Sequence, residues 1–330
     1  MKRFIESFKL ILKFLFAFAI IGYMVKSGHL DLATVGRGLA HRKLIVLCYA
    51  LIVCSTACAF FRWHLLLLGQ GLRFSFLKIV RYGMIGAFFN TTMPGAVSGD
   101  IIKAWYMVAD HKNYDKTRVL TTILLDRVFG VFGLVIVSSI PLLWNWQSVW
   151  AIPELHHVAQ LILLLLLGVI VFISYILFSM HGPLAVLRRK MDSLMKHKYG
   201  AAFVRAYDSW TEYRKHPGYL FLGLLFSVFT HLFVMTMVIA CATAIGENKL
   251  EYYQYFILVP IGLLTTAVPL APAGLGVGHV AFKALFGLLG STNGAEIFTL
   301  FVAIQISFNL LGSFFYIGGS KYRPQESDKS

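Results

Sequence analysis

The chain has 330 residues, of which 58% are hydrophobic, and its mean hydropathy is +0.72. Uncharged apolar runs of about 20 residues recur along it, the length that a hydrocarbon core of ~30 Å demands, and no polar stretch is long enough for a separate soluble enzyme domain. The net charge of +15 sits in clusters flanking those runs, which excludes a nucleic-acid-binding module and predicts an all-α polytopic membrane protein, one transmembrane domain over residues 1–330.

Lys2 and Arg3 precede the first apolar run, Leu10 to Val25, and no small-residue cleavage site of signal-peptide type accompanies it. The reading is a retained span. Further crossings are predicted at 44–61, 119–140, 158–180, 219–245 and 296–318, making about six in all. All four cysteines, Cys48, Cys54, Cys58 and Cys241, fall in these spans and are expected to behave as small hydrophobes without a disulfide.

Two apolar stretches are broken by proline and glycine. The first, 83–108, contains Asn90, Pro94, Gly95, Gly99, Asp100 and Lys103; the second, 256–290, contains Pro269, Pro272, Gly274, Gly276 and Gly278. Backbone that leaves the helix at membrane depth loses its internal hydrogen bonds, and survives only against protein or a watery cavity. Paired breaks of this kind in two halves of a chain point to a transporter's binding site.

Charge gives the orientation. No Lys or Arg lies between Val128 and Leu187, or between His216 and Asn248, whereas 181–218 carries Arg188, Arg189, Lys190, Lys196, Lys198, Arg205, Arg214 and Lys215. The positive-inside rule places that stretch in the cytoplasm of a cell whose inner membrane the chain spans, with 144–157 and 246–253 outside and both termini inside. Lys26, Arg37, Arg42 and Lys43 then fall outside, against the rule; the reverse orientation would expose the basic residues of 62–81 and violates it more. Arg62, Arg73, Lys78 and Arg81 precede the first broken stretch, and Lys103, Lys112, Lys116 and Arg118 follow its break, so this stretch is expected to enter from the cytoplasm and return. The second begins near the outer loop and leads to a span ending at Lys321 and Arg323; it is expected to enter from outside. The result is an inverted-topology pattern, with no sequence repeat behind it.

Within 181–218, Leu184, Leu187, Met191, Leu194 and Met195 share one helical face, and Phe203, Tyr207, Trp210 and Tyr213 mark a second short helix. Basic amphipathic helices of this kind lie in the interface and favour anionic lipid, although a solvated loop fits the same pattern.

Several polar residues stand where apolar ones are expected. Asp126 and Arg127 lie eight residues past Arg118, about 12 Å into a span, where ionisable groups face a cavity or a partner. Adjacent helix positions point apart, so Arg127 is expected to reach Asp100 or a lipid phosphate rather than Asp126. Asp100 and Lys103, one turn apart, open the half-helix that returns after Pro94 and Gly95. Its N-terminal N–H groups and positive dipole end, with Lys103 and Arg127, form a candidate receptor for an anionic headgroup. Gly95 and Gly99 also have the GxxxG spacing of close helix packing. The alternating Gly274, Gly276 and Gly278 read as tight or flexible backbone and not as a dinucleotide fingerprint. His231, alone in an apolar span, is expected to be a hydrogen-bonded packing residue, and Glu154, His156 and His157 match no zinc spacing. No GxSxG, HExxH or P-loop is present, and nothing calls for a cofactor.

Three segments in order, MPGAVSGDIIKAWYM, LLDRVFGVFGL and VPLAPAGLGVGHVAF, resemble the transmembrane-region family of lysylphosphatidylglycerol synthases, flippase-like proteins found alone or as the membrane half of lysyl-lipid synthases. The resemblance covers nearly the whole chain. It implies handling of lipids between leaflets, with a cavity around two re-entrant segments. It matches Asp100, Lys103, Asp126 and Arg127 to the family's charged positions, and Pro272, Gly274, Gly276 and His279 to its third motif. There many members carry Arg-Glu, and this chain has Gly278 and His279. The soluble lysyl-transfer domain has no counterpart in these 330 residues. The expected partners are membrane lipids, an anionic phospholipid or a lipid-linked precursor, and an enzyme of a lipid pathway. The alternatives are a membrane-embedded enzyme acting on a polyprenyl or glycolipid substrate, and an accessory scaffold.

Overall fold

A computed structural model describes residues 32–93, 98–110, 114–180, 212–267 and 274–317. Every regular element among them is helical: α1 (Leu32–Ala40), α2 (Arg42–Gly69), α3 (Phe76–Thr92), α4 (Ser98–Asp110), α5 (Lys116–Trp144), α6 (Trp146–Trp150), α7 (His156–Met180), α8 (Pro217–Ala244), α9 (Tyr252–Thr266), α10 (Val277–Gly287), α11 (Gly294–Leu310) and α12 (Gly312–Ile317). Two short 3₁₀ turns, Pro153–Leu155 and Tyr213–Lys215, complete the list. The chain is an all-α polytopic membrane protein. Five stretches are long and apolar enough to cross a bilayer: Arg42–Gly69, Lys116–Trp144, Pro153–Ser174, Pro217–Ala244 and Gly294–Ile317. The predicted crossing at 10–25, the amphipathic stretch 181–211, and Pro94, Gly95, Pro269 and Pro272 lie outside the described residues.

The first of these spans corrects its predicted end. Arg62 was expected on a cytoplasmic flank, yet α2 continues to Gly69, and Trp63, Leu66 and Leu67 after it are buried. A charge ends a span only when nothing matches it at depth; Arg62 is matched, as shown below.

Four other helices are too short to span. α3 and α4 have 17 and 13 residues and α9 and α10 have 15 and 11, which at 1.5 Å per residue gives about 16 to 26 Å against a ~30 Å core. Each broken stretch is a helical hairpin. In the first, Lys78 near the start of α3 pairs with Asp110 at the end of α4 at 2.7 Å, while Phe89 meets Ser98 across the break. In the second, Tyr255 of α9 meets Phe286 of α10, and Thr266 meets Gly274 across the break.

The chain divides into two compact units, one of residues 1–53, 81–103 and 235–330 and the other of 54–80 and 104–234. In the second, Leu66, Leu125, Phe129, Phe132, Val135, Val169, Tyr213 and Leu220 form a continuous core, and the buried Tyr213 hydroxyl donates to the Leu66 carbonyl at 2.8 Å. Lipid tails are as apolar as these side chains, so close packing and polar contacts hold such helices together. Small residues supply the closeness. A Cβ on Gly133 of α5 would sit 2.6 Å from the Ser227 backbone of α8. In the first unit, α11 is the common neighbour of both hairpins. Thr299 contacts α10, and Asn309, ten residues or about 15 Å further along, donates to Thr91 of α3 at 2.9 Å. Exposed Leu164, Leu167, Ile170 and Val171 on α7, and Phe221, Leu222, Leu225 and Phe229 on α8, give these helices apolar outer surfaces suited to lipid.

Candidate functional site

The first hairpin is closed by its own glycines and amide. A Cβ on Gly99 would lie 1.9 Å from the Gly86 carbonyl oxygen, so the two helices touch backbone to backbone there. Gly99 therefore has the packing role that its GxxxG spacing suggests. The Gly99 N–H donates to Asn90 Oδ1 at 2.7 Å, and the Ser98 hydroxyl donates to the Phe89 carbonyl at 3.2 Å. One of the helix-start donors expected to await a ligand is thus engaged within the hairpin, and Asn90 is what engages it. Thr91 and Thr92 return their hydroxyls to the Ala87 and Phe88 carbonyls, each at 3.0 Å.

One turn into α4, Asp100 and Lys103 form an ion pair at 3.1 Å. Both residues are buried, at 5% and 8% exposure, so both charges are largely withdrawn from the surface. A carboxylate and an ammonium at (i, i+3) share one helix face. Together they make a compact dipole beside the break, and the ammonium is the one cationic group that the described part of this hairpin holds close to it.

The second hairpin carries no such pair among its described residues. Gly274 has φ +69°, and a Cβ there would lie 2.4 Å from Thr266 Cβ; Gly276 has φ +79°. Both positions need glycine, because L side chains rarely adopt positive φ. The Gly276 N–H donates to His279 Nδ1 at 3.4 Å, and His279 Nε2 lies 3.1 Å from Thr299 Oγ1. Thr299 donates its own hydroxyl to the Ala295 carbonyl, so the network assigns the proton of His279 to Nε2. Both ring nitrogens are engaged, and the ring also stands edge-on to Phe298 at 4.8 Å. Phe298 in turn covers Gly278, where a Cβ would fall 2.1 Å from the ring. His279 thus caps α10 and ties it to α11. At the base of this hairpin the Glu247 carboxylate accepts from the Ser291 hydroxyl, from Asn293 Nδ2 at 3.0 Å and from the Lys249 N–H at 2.8 Å. Burial pushes the Glu247 carboxyl up, but these donors outweigh it and hold it below the ordinary carboxylate range.

Asp126 and Arg127 separate as their 100° spacing requires: Asp126 is buried and Arg127 exposed. The expectation that Arg127 faces the interior is therefore corrected. Asp126 is paired with a residue that the sequence reading took for a flank. Arg62 Nε donates to Asp126 Oδ1 at 2.7 Å, and Arg62 Nη1 donates to Ser227 Oγ at 2.8 Å. The signal for Arg62 was in the sequence: the apolar run resumes as HLLLLG directly after Arg62–Trp63. The signal for Asn309 and Thr91 was weaker, a single amide in an apolar span.

A family model described as lysylphosphatidylglycerol synthase TM region matches residues 10–311. The chain belongs to this family. It is also 21% identical over 276 residues to a UPF0104 membrane protein of Pyrococcus horikoshii, covering 79% of this chain and 82% of that one. Membership places the protein's role in membrane lipid biology and makes it a multi-pass membrane protein.

Proposed function

We propose that the protein moves or hands over lipids between membrane leaflets, and that it receives an anionic headgroup beside the break of the first hairpin. Asp100 and Lys103 contact the headgroup, with Asn90 and Gly99 holding the two helices together beside the break. The observation that carries this reading is the buried Asp100–Lys103 pair, on a helix too short to span. Ionisable groups held at such depth are costly and mark substrate pathways, and here the pair lies where the backbone leaves the helix. Lys103 attracts the headgroup phosphate; Asp100 keeps that charge matched while no lipid is bound.

In this reading each hairpin enters and leaves the membrane by one face, the first from the cytoplasm and the second from outside, in an inner membrane with both termini cytoplasmic. Arg127, exposed on its span, is suited to meet a lipid phosphate at the surface, as its forked donors allow. Asp126 belongs to the internal pair with Arg62. Gly274, Gly276 and His279 shape the second hairpin.

The test is reconstitution into phosphatidylcholine vesicles holding a trace of headgroup-labelled lipid, phosphatidylglycerol in one set and phosphatidylethanolamine in another. The expected result is exchange of phosphatidylglycerol between leaflets faster than in protein-free vesicles, and faster than that of the zwitterionic lipid. Rates equal to protein-free vesicles for both lipids would refute the reading.

A further inference from the structure

The polar cluster around Arg62 leaves one group unmatched. Ser227 receives the Arg62 Nη1 proton and donates its own to the Phe129 carbonyl. His231 follows Ser227 by four residues on α8, so the two share a face. Sequence reasoning expected His231 to be hydrogen-bonded, yet both ring nitrogens are buried and neither has a hydrogen-bond partner among the described residues. The Gly130 backbone lies within reach of the ring without a well-formed hydrogen bond to it, and Arg62 is the nearby charge. A buried donor or acceptor without a partner costs about 1–3 kcal/mol, and native proteins keep such groups rarely and for cause.

Two glycines of α5 lie beside this cluster. Along α5 and α8, Gly133 brings the helices into direct contact, with Ser227 atoms 2.6 to 2.7 Å from an added Cβ. One turn away at Gly130, an added Cβ would meet only the Arg62 guanidinium, with Nη1 at 3.8 Å and Nη2 at 3.9 Å. Gly130 and His231 are both half-buried.

We infer that Arg62, Gly130 and His231 form a subsite for a hydroxyl group of a lipid headgroup, a polyol or a sugar. The chemistry selects the class. Protonating His231 would add a second positive charge beside Arg62 within a span, so the ring stays neutral and offers one N–H and one lone pair. A phosphate oxygen only accepts, and would leave the lone pair unmet. The Arg62 charge is already matched by Asp126, which removes the attraction for an anion. A hydroxyl donates to the ring lone pair and accepts from the guanidinium. This rests on the lipid-handling reading above and adds the headgroup feature that unit 54–80 with 104–234 recognises.

The experiment measures equilibrium binding and needs no translocation, so its failure is distinct from failure of that reading. The full chain in phosphatidylcholine nanodiscs is titrated with three fluorescent lipids. Phosphatidylglycerol has hydroxyls and phosphate, phosphatidic acid has phosphate alone, and monoglucosyl diacylglycerol has hydroxyls alone. Phosphatidylglycerol and the glucolipid are each expected to bind about tenfold more tightly than phosphatidic acid, the equivalent of one well-made hydrogen bond. His231→Leu should erase that tenfold preference while melting no lower than the wild type, since it removes an unmatched polar group. His231→Gln, which keeps a donor and an acceptor, should retain part of it and covers the case in which the leucine variant does not fold. Phosphatidic acid binding as tightly as phosphatidylglycerol, no binding of either hydroxyl-bearing lipid, or an unchanged preference in His231→Leu would each overturn the inference.

Discussion

At its base the first hairpin, α3–α4, is clamped by the Lys78–Asp110 ion pair, and beside its break it holds the buried ions Asp100 and Lys103. The second, α9–α10, is closed at its base by Glu247, Ser291 and Asn293, and beside its break it holds a neutral histidine with both nitrogens engaged. The two share their architecture: a helix shorter than a bilayer, a Pro/Gly break, a shorter returning helix, then a full span. They differ in what stands at the break. A scaffold needs only satisfied backbone there, and in the second hairpin His279 meets the Gly276 N–H at the start of α10. Burying a carboxylate and an ammonium is more than closure requires, and replacing such a pair by apolar groups is often neutral or stabilising. The first hairpin thus carries a cost that packing does not explain.

The largest effect should come from splitting that pair. Lys103→Met leaves Asp100 buried without its cation, and removing one partner of a buried pair costs about 3–5 kcal/mol. Folded yield should collapse in fluorescence-detected size-exclusion, whereas Lys103→Arg should fold. Normal yield from Lys103→Met would mean that the pair is not desolvated and the contrast between the hairpins is superficial.

Next is Gly99→Ala, whose Cβ would strike the Gly86 carbonyl at 1.9 Å. Overpacking of this kind costs about 1–3 kcal/mol, and the obstacle here is backbone. Gly86→Ala meets its nearest atom at 3.1 Å and should be the milder of the two by thermal melting. Equal melting would remove the close contact on which the first hairpin's closure rests.

In the second hairpin, His279→Leu gives up two neutral hydrogen bonds at about 1 kcal/mol each. A small drop in melting temperature with lipid exchange unchanged is expected in the reconstituted protein. Lost exchange at normal stability would make the second hairpin part of the site and end the distinction drawn between them.

The smallest effect is pH-dependent. The Glu247 carboxyl sits below its ordinary value of 4.5 in the folded protein. Its contribution is therefore complete above pH 4.5 and is lost as pH falls through the lower folded value. Melting between neutral pH and the range below 4.5 should drop more steeply for the wild type than for Glu247→Gln. Parallel slopes would show that this latch does not hold the base of the second hairpin.

Much of this architecture is legible in the residues because membranes restrict the choices. An apolar run of sufficient length has to be a span, and clustered Pro and Gly mark the two stretches whose described helices are too short to be one, whereas lone Pro141 and Pro260 stand inside helices. What escaped was long-range pairing. A charge at the end of an apolar run reads as a flank, and only Asp126, 64 residues away, turns Arg62 into an interior residue. The same limit hid Asn309 on Thr91, 218 residues apart. His231 failed in the opposite direction: statistics promise a partner for a buried imidazole, and its two ring nitrogens have none among the described residues. His279 was read through its family position, whereas its geometry is that of a helix cap set by Gly276.

The most direct test of the claim that Asp100 and Lys103 serve lipid rather than packing is the double variant Asp100→Asn/Lys103→Met, measured for folded yield and for phosphatidylglycerol exchange in the same preparation. Removing both charges together leaves no unmatched ion, so the fold should return to near wild-type yield, while exchange stays at the level of protein-free vesicles. Exchange restored along with the fold would contradict the account and leave the pair as packing alone.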